Sequence, residues 1–329
     1  MRPLTPPSPH GGEGGVRGIP QSGFGNRMMT RDYKKAALGL IEGRVLFDAP
    51  MRQFTSIKVG GPADCLLFPK DLDELRKVVR YAGKKDIPVL ILGKGTNLIV
   101  RDRGIRGWVI SLTHGMKRFQ WDGDVVEAEA GLTLHRLVRS SIQKGLGGLE
   151  PFSGIPGTVG GGLAMNAGAW GVELKDILLS LTLMNGGGEM VERSRQKVKF
   201  SYRRLALPTH WVILKGRFQL RSERKEEIFE RVKTYSETRK RTQPLDYPSA
   251  GSIFKNPSEG PAGRWIEEAG LKGFRLGQAM VSDRHANFII NLGKATAREV
   301  IDLMELMERK IYEEKGVSLE REVKVVGEP

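Results

Sequence analysis

The segment best suited to close contact with a ligand is the glycine-rich stretch at residues 151–171. It reads PFSGIPGTVGGGLAMNAGAWG and holds seven glycines. Glycine has no Cβ, so this backbone exposes many amides and lets an anion or a flat aromatic ring come close. The alternative is a flexible linker. Linkers are rich in polar residues, whereas this segment contains the apolar residues Phe152, Ile155 and Trp170. We therefore expect an ordered wall that faces a ligand.

A second glycine turn, GKGTN at residues 93–97, follows the apolar run PVLIL. Its backbone amides could form a nest for a pyrophosphate, and an ordinary hairpin turn is the alternative. The dinucleotide fingerprint of a Rossmann fold requires a helix directly after its glycines. Here a second apolar run follows instead, which argues against a Rossmann fold.

Strands and helices alternate around these segments. The first block is strand, helix, strand, glycine turn and strand, and the second begins with a hairpin and an amphipathic helix. Three helices carry local start or stop signals: Asp71 with Glu74, Thr133 with Gly145 at the end, and Thr296 with Glu299.

Length and composition indicate a globular chain of two or three domains. It has 329 residues, of which 39% are hydrophobic, and no apolar run approaches the ~20 residues that span a bilayer. The single cysteine, Cys65, cannot form an intrachain disulfide, which favours the cytoplasm. No metal site is expected, because the five histidines lie in no metal-ligand spacing: His10, His114, His135, His210 and His285.

The formal net charge of +15 raises the possibility of nucleic-acid binding. However, Lys and Arg alternate with Glu and Asp along the helices, and no nucleic-acid-binding motif occurs. We expect a solvated basic surface that helps to attract an anionic small molecule. Residues 1–30 lack any periodicity, so we expect disorder there, with Met28 or Met29 as a candidate start.

From about residue 54 to 327, the sequence resembles the UDP-N-acetylenolpyruvoylglucosamine reductase (MurB) family. The residues that carry the resemblance are SGIPGTVGGGLAMNAGAWG, preceded by LGKGTNLIVRDRGIRG. The resemblance implies an α+β chain with a vanillyl-alcohol-oxidase (PCMH) type FAD-binding fold in two subdomains and a C-terminal α+β substrate-binding domain. The expected units are 1–30 (tail), 31–115 and 116–232 (FAD-binding subdomains), 233–318 (substrate-binding domain) and 319–329 (C-terminal strand).

The resemblance also implies FAD and NADPH as cofactors and assigns the FAD contacts to the two glycine segments. The cofactor-binding residues are expected to be Gly93, Lys94, Gly95, Thr96, Asn97, Gly154, Ile155, Pro156, Gly157, Thr158, Gly161, Gly162, Asn166, Ala167 and Gly168. The family commonly has Gly and Ser where this chain has Lys94 and Thr96.

Three further motifs would supply the catalytic groups. FSYRR matches the family's Tyr-Arg motif and implies catalytic Arg203, YPSAGSIFKNP implies catalytic Ser252, and LEREVKVVG implies catalytic Glu322. The expected substrate contacts are Tyr202, Gln243, Lys255 and Asn256. The family often has a serine two residues after the motif arginine, where this chain has Leu205. The chain resembles the subgroup that lacks an inserted tyrosine loop.

The chemistry of an enolpyruvyl reduction agrees with these residue types. Hydride transfer to the CH₂ group leaves negative charge that an arginine fork beside the substrate carboxylate can stabilise. A protonated Glu322 could donate a hydrogen bond to the same charge. Ser252 would deliver the proton to carbon, which requires a strongly polarised setting to which Lys255 could contribute.

The implied reaction is NADPH-dependent reduction of UDP-N-acetylglucosamine enolpyruvate to UDP-N-acetylmuramate, in peptidoglycan precursor synthesis. We expect a monomeric cytoplasmic enzyme with a small-molecule substrate and no nucleic-acid or membrane partner. Two alternatives remain from the residues alone. One is another FAD oxidoreductase of this fold that acts on an alcohol or a lactone, and the other is a non-catalytic nucleotide- or nucleic-acid-binding protein.

Overall fold

A computed structural model describes residues 26–329, with side chains from residue 33 onward. Residues 1–25 of the predicted disordered tail lie outside the described residues. Residues 26–30 were also expected to be disordered, but they form the first turns of a helix. Within residues 26–329, no helix is both long enough and apolar enough to span a bilayer.

The first unit is a four-stranded sheet with two helices. Its elements are α1 (Asn26–Leu40), β1 (Arg44–Pro50), β2 (Pro62–Phe68), α2 (Leu72–Lys84), β3 (Val89–Leu92), β4 (Leu98–Val100) and β5 (Ile105–Ser111). The sheet order is β1-β2-β5-β3, with β1 antiparallel to β2 and the other pairs parallel. Asp71 caps α2 as predicted, because its side chain accepts from the Glu74 amide. The capping box that the pair resembles is incomplete, because the Glu74 carboxylate accepts from the Glu42 and Lys70 amides instead. The GKGTN turn leads into strand β4 and not into a helix, as predicted.

The second unit is an antiparallel five-stranded sheet with four helices and several two-stranded sheets. Its strands are β6 (Phe119–Asp122), β7 (Val125–Glu129), β8 (Leu146–Gly147), β9 (Gly168–Ala169), β10 (Val172–Glu173), β11 (Leu178–Met184), β12 (Met190–Ser194), β13 (Lys199–Ser201), β14 (Arg204–Ala206), β15 (Val212–Gln219) and β16 (Arg221–Ser222). Its helices are α3 (Leu134–Lys144), α4 (Val159–Ala164), α5 (Leu174–Ile177) and α6 (Lys225–Thr242). The sheet order is β12-β11-β15-β7-β6. Thr133 caps α3 and Gly145 ends it in the left-handed region, as predicted.

The third unit is a four-stranded antiparallel sheet covered by a long helix. Its elements are β17 (Ser249–Ser252), α7 (Ala262–Glu268), β18 (Arg275–Leu276), β19 (Ala279–Val281), β20 (Phe288–Asn291), α8 (Ala297–Lys315) and β21 (Lys324–Val326). The sheet order is β17-β20-β19-β18. Thr296 and Glu299 form the predicted capping box of α8, whose apolar face is buried.

The hydrophobic cores explain how these units are joined. One buried cluster includes Trp108 of the first sheet and Phe218 of the second, so the two sheets share a core. Another cluster lies around α8 and also includes Ile57 and Ile99 from the first unit. The expected boundary between residues 232 and 233 falls inside α6, so a division after this helix keeps the helix whole.

The C-terminal segment returns to the first unit. Strand β21 pairs in parallel with β4, directly after the GKGTN turn. Just before it, an isolated antiparallel bridge joins Arg321 to Phe254, which follows β17. The C-terminal segment therefore connects the glycine turn with the third unit.

Candidate active site

The two glycine segments lie side by side. The Thr96 hydroxyl donates to the Pro156 carbonyl at 3.0 Å. A Cβ added at Gly93 would lie 2.7 Å from the Thr158 Oγ1 atom, so this approach requires glycine. The structure thus brings together the two segments that were predicted to contact a cofactor.

The GKGTN turn presents backbone amides suited to an anion. Within the described part of the chain, the amides of residues 93–96 donate to no protein acceptor. Gly95 has a φ of +63°, and a Cβ there would lie 2.1 Å from the Phe54 carbonyl oxygen. A cavity of about 280 Å³ adjoins the turn and is lined by Phe54, Ser56 and His114 among others. A nest of unpaired amides beside a cavity fits a pyrophosphate group.

The three consecutive glycines in α4 serve different purposes. A Cβ at Gly160 would lie 2.8 Å from the Ala130 Cβ, and one at Gly162 would lie 2.8 Å from Leu174. At Gly161 the nearest atom would be 3.4 Å away and the residue is exposed. Gly161 is therefore the glycine of this triplet whose missing side chain leaves room for a ligand.

The sequence suggested that the backbone amides of α4 would be free, but three of them donate hydrogen bonds within the protein. Those of Gly160 and Gly162 donate to the Ala130 and Thr158 carbonyls. That of Gly161 donates to the Thr158 hydroxyl. The expectation of free amides is therefore wrong for these three residues, because the short helix is capped from within the protein.

Two predicted cofactor residues use their side chains inside the protein. The Asn97 amide group donates to the Glu322 carbonyl at 3.0 Å. Asn166 is fully buried, with a φ of +43°, and bonds the Ser201 carbonyl and the Lys175 amide. Both asparagines hold the glycine segments against the segments that carry Arg203 and Glu322, which leaves their backbones for contact with a cofactor.

Arg203 and Glu322 meet although they come from distant parts of the sequence. Arg203 Nε and Glu322 Oε1 are 3.2 Å apart, and about a fifth of each side chain is exposed. The Arg203 Nε–H is not aligned as a hydrogen bond, so the two groups lie within ion-pair distance without a hydrogen bond between these atoms. Arg203 lies in the tight turn between β13 and β14 with a φ of +57°. A Cβ at Gly168 would approach the Arg203 Nη1 atom to 3.1 Å.

The surroundings of Glu322 favour its neutral form. Burial raises the pKa of the Glu322 carboxyl above its ordinary value, and the charges of Arg203 and Lys255 oppose this effect only in part. In its neutral form a carboxyl group can donate a hydrogen bond.

Ser252 is the last residue of β17, and this strand contains a β-bulge. Ser249 and Ser252 pair with Ile290 and Phe288, so β17 has one residue more than β20 across this interval. Gly251 occupies the bulge with a φ of +78°. The carbonyl of the next residue, Ile253, accepts from the Glu322 amide at 2.8 Å. The backbone therefore holds Ser252 one residue from the partner of Glu322.

The expected substrate residues divide into two groups. Tyr202, Lys255 and Asn256 line one cavity of about 360 Å³, together with Glu320 and others. The Asn256 Oδ1 atom accepts from the Ala262 amide, which leaves its NH₂ group to donate. Gln243 does not line this cavity.

Arg239 is a cation near the glycine-rich stretch at residues 151–171, and no sequence motif marks it. It lies in α6 four residues before Gln243, which follows the last residue of the helix, and its Nη1 atom contacts the Gln243 Oε1 atom at 3.3 Å. A Cβ at Gly154 would lie 3.0 Å from Arg239 Cδ. Its buried Nε–H has no acceptor among residues 26–329, and burial lowers the pKa of the guanidinium group. The helical i, i+4 spacing to Gln243 was the available signal.

A stacked aromatic pair also lies beside the glycine segment. Trp170 stacks on Tyr235 with ring centroids 4.7 Å apart and an interplanar angle of 15°. Trp170 is about half exposed, with a φ of +57°. Among the side chains described, no group of three or more His, Cys, Asp or Glu residues could hold a metal ion.

Comparison with known proteins identifies both parts of this arrangement. A family profile described as the FAD binding domain matches residues 63–194. A second profile, for the C-terminal domain of UDP-N-acetylenolpyruvoylglucosamine reductase, matches residues 243–326. The matched ranges contain the two glycine segments and the segment with Ser252, respectively.

Curated relatives and a solved structure agree with the profiles. Proteins named UDP-N-acetylenolpyruvoylglucosamine reductase from Syntrophus aciditrophicus and Caldanaerobacter subterraneus are 45% and 42% identical. These alignments cover 90% and 88% of this chain and 96% of each relative. The crystal structure of the Thermus caldophilus reductase (MurB) has a TM-score of 0.75 at 35% identity, covering 87% of this chain and 99% of that one.

These comparisons confirm the fold expected from the motifs. The evidence is the similarity to the Thermus caldophilus structure and the match to the FAD binding domain. In this fold, an FAD-binding part of vanillyl-alcohol-oxidase type is followed by an α+β domain. With such identity over nearly the full length of its relatives, the chain belongs to the UDP-N-acetylenolpyruvoylglucosamine reductase family.

Proposed function

We propose that Arg203, Ser252 and Glu322 are the catalytic residues of this protein. The protein is an FAD-dependent oxidoreductase that reduces UDP-N-acetylglucosamine enolpyruvate to UDP-N-acetylmuramate with NADPH. The observation that carries the proposal is the 3.2 Å contact between Arg203 and Glu322, next to the backbone that holds Ser252.

The residues present fit FAD. The unpaired amides of residues 93–96 suit its pyrophosphate, and the exposed face at Gly161 leaves room for a ring system. We propose that Lys94, Thr96 and the backbone of residues 154–158 and 166–168 complete the contacts. When bound, FAD supplies hydride transfer, first from NADPH and then to the substrate.

Arg203 would bind the carboxylate of the enolpyruvyl group. Its guanidinium charge persists at any working pH, and its fork matches a planar carboxylate. When the CH₂ carbon gains a hydride, negative charge develops on this carboxylate, and Arg203 stabilises it. A neutral Glu322 would donate a hydrogen bond to the same group.

Ser252 would complete the reduction by giving its hydroxyl proton to the carbon that bears the carboxylate. The CH₂ carbon becomes a methyl group, and its neighbour becomes the tetrahedral carbon of a lactyl ether. The serine is later reprotonated from solvent. The bulge at Gly251 fixes the direction of this hydroxyl, because a regular strand would carry Ser252 in another register.

The proposed role of Glu322 gives activity a defined pH dependence. A carboxyl group with a raised pKa is neutral below that pKa and ionised above it. Because the neutral form donates the hydrogen bond, turnover should fall as the pH rises through the raised value.

Tyr202, Lys255 and Asn256 would bind the anionic body of the substrate in the 360 Å³ cavity. The Lys255 ammonium supplies charge and the Asn256 NH₂ group supplies a donor. Gln243 would contact the substrate from the end of α6 and not from this cavity.

A turnover measurement tests the function. Purified protein with FAD is mixed with NADPH, and NADPH oxidation is followed with and without UDP-N-acetylglucosamine enolpyruvate. We expect oxidation that depends on this substrate, with a product two mass units heavier than the substrate. Oxidation of an alcohol or a lactone in its place would favour another flavin oxidoreductase, and salt-sensitive nucleic-acid binding without flavin would favour a binding protein.

The assembly and location are proposals as well. A monomer is the simplest state for a chain whose three proposed catalytic residues all come from one copy. The single buried Cys65 agrees with a cytoplasmic location, because it forms no disulfide within the chain. Size-exclusion chromatography with light scattering would test the monomeric state.

A further inference from the structure

Lys255 has two glutamate neighbours on the C-terminal segment. The antiparallel bridge joins Phe254 to Arg321, and the Lys255 amide donates to the Glu320 carbonyl at 2.8 Å. Lys255 is therefore directly opposite Glu320, and Glu322 is its diagonal neighbour. Residues two apart share one face of a strand, so both carboxylates lie on the Lys255 side of this pair.

Arg321, between the two glutamates, belongs to the opposite face. Its guanidinium group makes two hydrogen bonds with Glu308 of α8. Burial opposes its charge, but these bonds dominate and raise the pKa of Arg321. Arg321 is thus committed to the helix, and Lys255 is the cation that faces both Glu320 and Glu322 across the paired segments.

The ammonium group of Lys255 is held by the more exposed of the two carboxylates. Lys255 Nζ lies 2.5 Å from Glu320 Oε1, with 18% of the lysine side chain and 73% of the glutamate side chain exposed. Glu322 is instead paired with Arg203. The charge of Lys255 still lowers the pKa of Glu322, against the larger effect of burial. Any movement of the ammonium group toward Glu322 would strengthen this effect.

The exposed ion pair with Glu320 would add little to stability, because solvent screens such pairs. It does fix where the lysine charge lies. Lys255 and Glu320 both line the 360 Å³ cavity with Tyr202 and Asn256, and Glu259 is the other acidic residue of that lining. A positive charge held there is available to an anionic ligand and is kept away from the Arg203–Glu322 pair.

We propose that Glu320 is a positioning residue, which holds the Lys255 ammonium group at the substrate cavity and away from Glu322. The inference rests on the function proposed above, in which neutral Glu322 donates a hydrogen bond. Glu320 would not touch the reacting atoms, and its influence would pass through Lys255.

Glu320→Gln removes the charge and keeps the shape of the side chain. We expect the high-pH limb of kcat to move down by about 0.5–1 pH unit, because the freed ammonium group approaches Glu322 and favours its ionised form. Lys255→Met added to Glu320→Gln should move the limb back to the wild-type position or above it. Glu268→Gln, which breaks an exposed ion pair with Arg264 in the same domain, is the matched control and should leave the limb unchanged.

A direct titration separates this inference from the proposed function. Infrared difference spectra follow the carboxyl band that is absent in Glu322→Gln, in protein with and without the Glu320 substitution. A downward shift of this titration in Glu320→Gln supports the inference even if the enolpyruvyl substrate is not turned over, a result that would overturn the proposed function alone. Coincident titrations of wild type and Glu320→Gln, or a shift that Lys255→Met does not reverse, would overturn the inference.

Discussion

Arg203 combines a persistent positive charge with a strained backbone. A non-glycine residue at a φ of +57° costs of the order of 1 kcal/mol or more, and such strain is often found at functional sites. Asn166 and Trp170, which lie within the glycine-rich stretch at residues 151–171, also have positive φ values. Asn166 uses its side chain inside the protein, and positive φ values also occur away from the site, as at Asp48 and His210, so backbone strain alone does not mark the site.

Arg203→Lys should reduce kcat by about 100-fold, because lysine keeps the charge but loses the planar fork that stabilises developing negative charge. The KM for the enolpyruvyl substrate should rise as well, since the same fork binds the carboxylate in the ground state. Steady-state kinetics of the variant beside Arg264→Lys, which changes an exposed arginine in an ion pair, would measure both effects. Wild-type kcat in Arg203→Lys would rule out this role for Arg203.

The candidate site could be predicted from sequence only as a set of residues. Motifs singled out Arg203, Ser252 and Glu322, but nothing local showed that the first and last would lie 3.2 Å apart. Sequence alone does not identify Glu320, because its proposed role depends on the register between two segments that are far apart in the chain. Sequence alone does not identify Arg239 either, because burial is what distinguishes it from the other basic residues around it.

At the scale of elements, signals confined to one helical turn were reliable. Asp71, Thr133 and the pair Thr296 and Glu299 cap helices as their spacing predicts. Features set by distant parts of the chain were not predictable in this way. The parallel pairing of β21 with β4 is one example, and the internal capping of the α4 amides by Thr158 and Ala130 is another.

Gly161→Val should weaken FAD binding at least about tenfold and leave the fold intact. Among the described residues, a Cβ added at Gly161 would meet only the Thr158 hydroxyl, at 3.4 Å, so the side chain would extend into the space assigned to the cofactor. Flavin content after purification and titration of the apoprotein with FAD measure the effect, while thermal unfolding of the apoprotein checks the fold.

Gly39→Val is the matched control, because a Cβ at Gly39 meets no described atom of the protein within 4 Å and the residue lies in α1. It should bind FAD as the wild type does. Normal FAD affinity in Gly161→Val would show that this glycine does not face the cofactor.

At the scale of the whole molecule, Asp102 joins the first and third units. Both of its carboxylate oxygens accept from backbone amides at the start of α8, those of Ala297 and Arg298, each at 2.9 Å. This contact satisfies two helix N-terminal donors with a charge that also suits the helix dipole. It lies in the loop that follows β4, so it helps hold the glycine turn and the C-terminal domain together.

Asp102→Asn should destabilise the protein by about 1 kcal/mol, because the amide side chain keeps one acceptor and loses the charge. The melting temperature should therefore fall by roughly 2–4 °C. Asp302→Asn, which breaks only an ion pair with Arg298 on the surface of α8, should change it less. Equal melting temperatures for wild type and Asp102→Asn would show that this contact contributes nothing.

The most direct test of the account concerns Ser252, because the whole arrangement would deliver its proton. Enzyme reduced anaerobically with NADPH is mixed with UDP-N-acetylglucosamine enolpyruvate, and flavin reoxidation is followed in wild type, in Ser252→Ala and in the control Ser222→Ala, which changes an exposed serine of β16. We predict rapid reoxidation in wild type and control, and reoxidation slowed about 100-fold or more in Ser252→Ala. Reoxidation of Ser252→Ala at the wild-type rate would contradict the assignment of Ser252 as the proton donor.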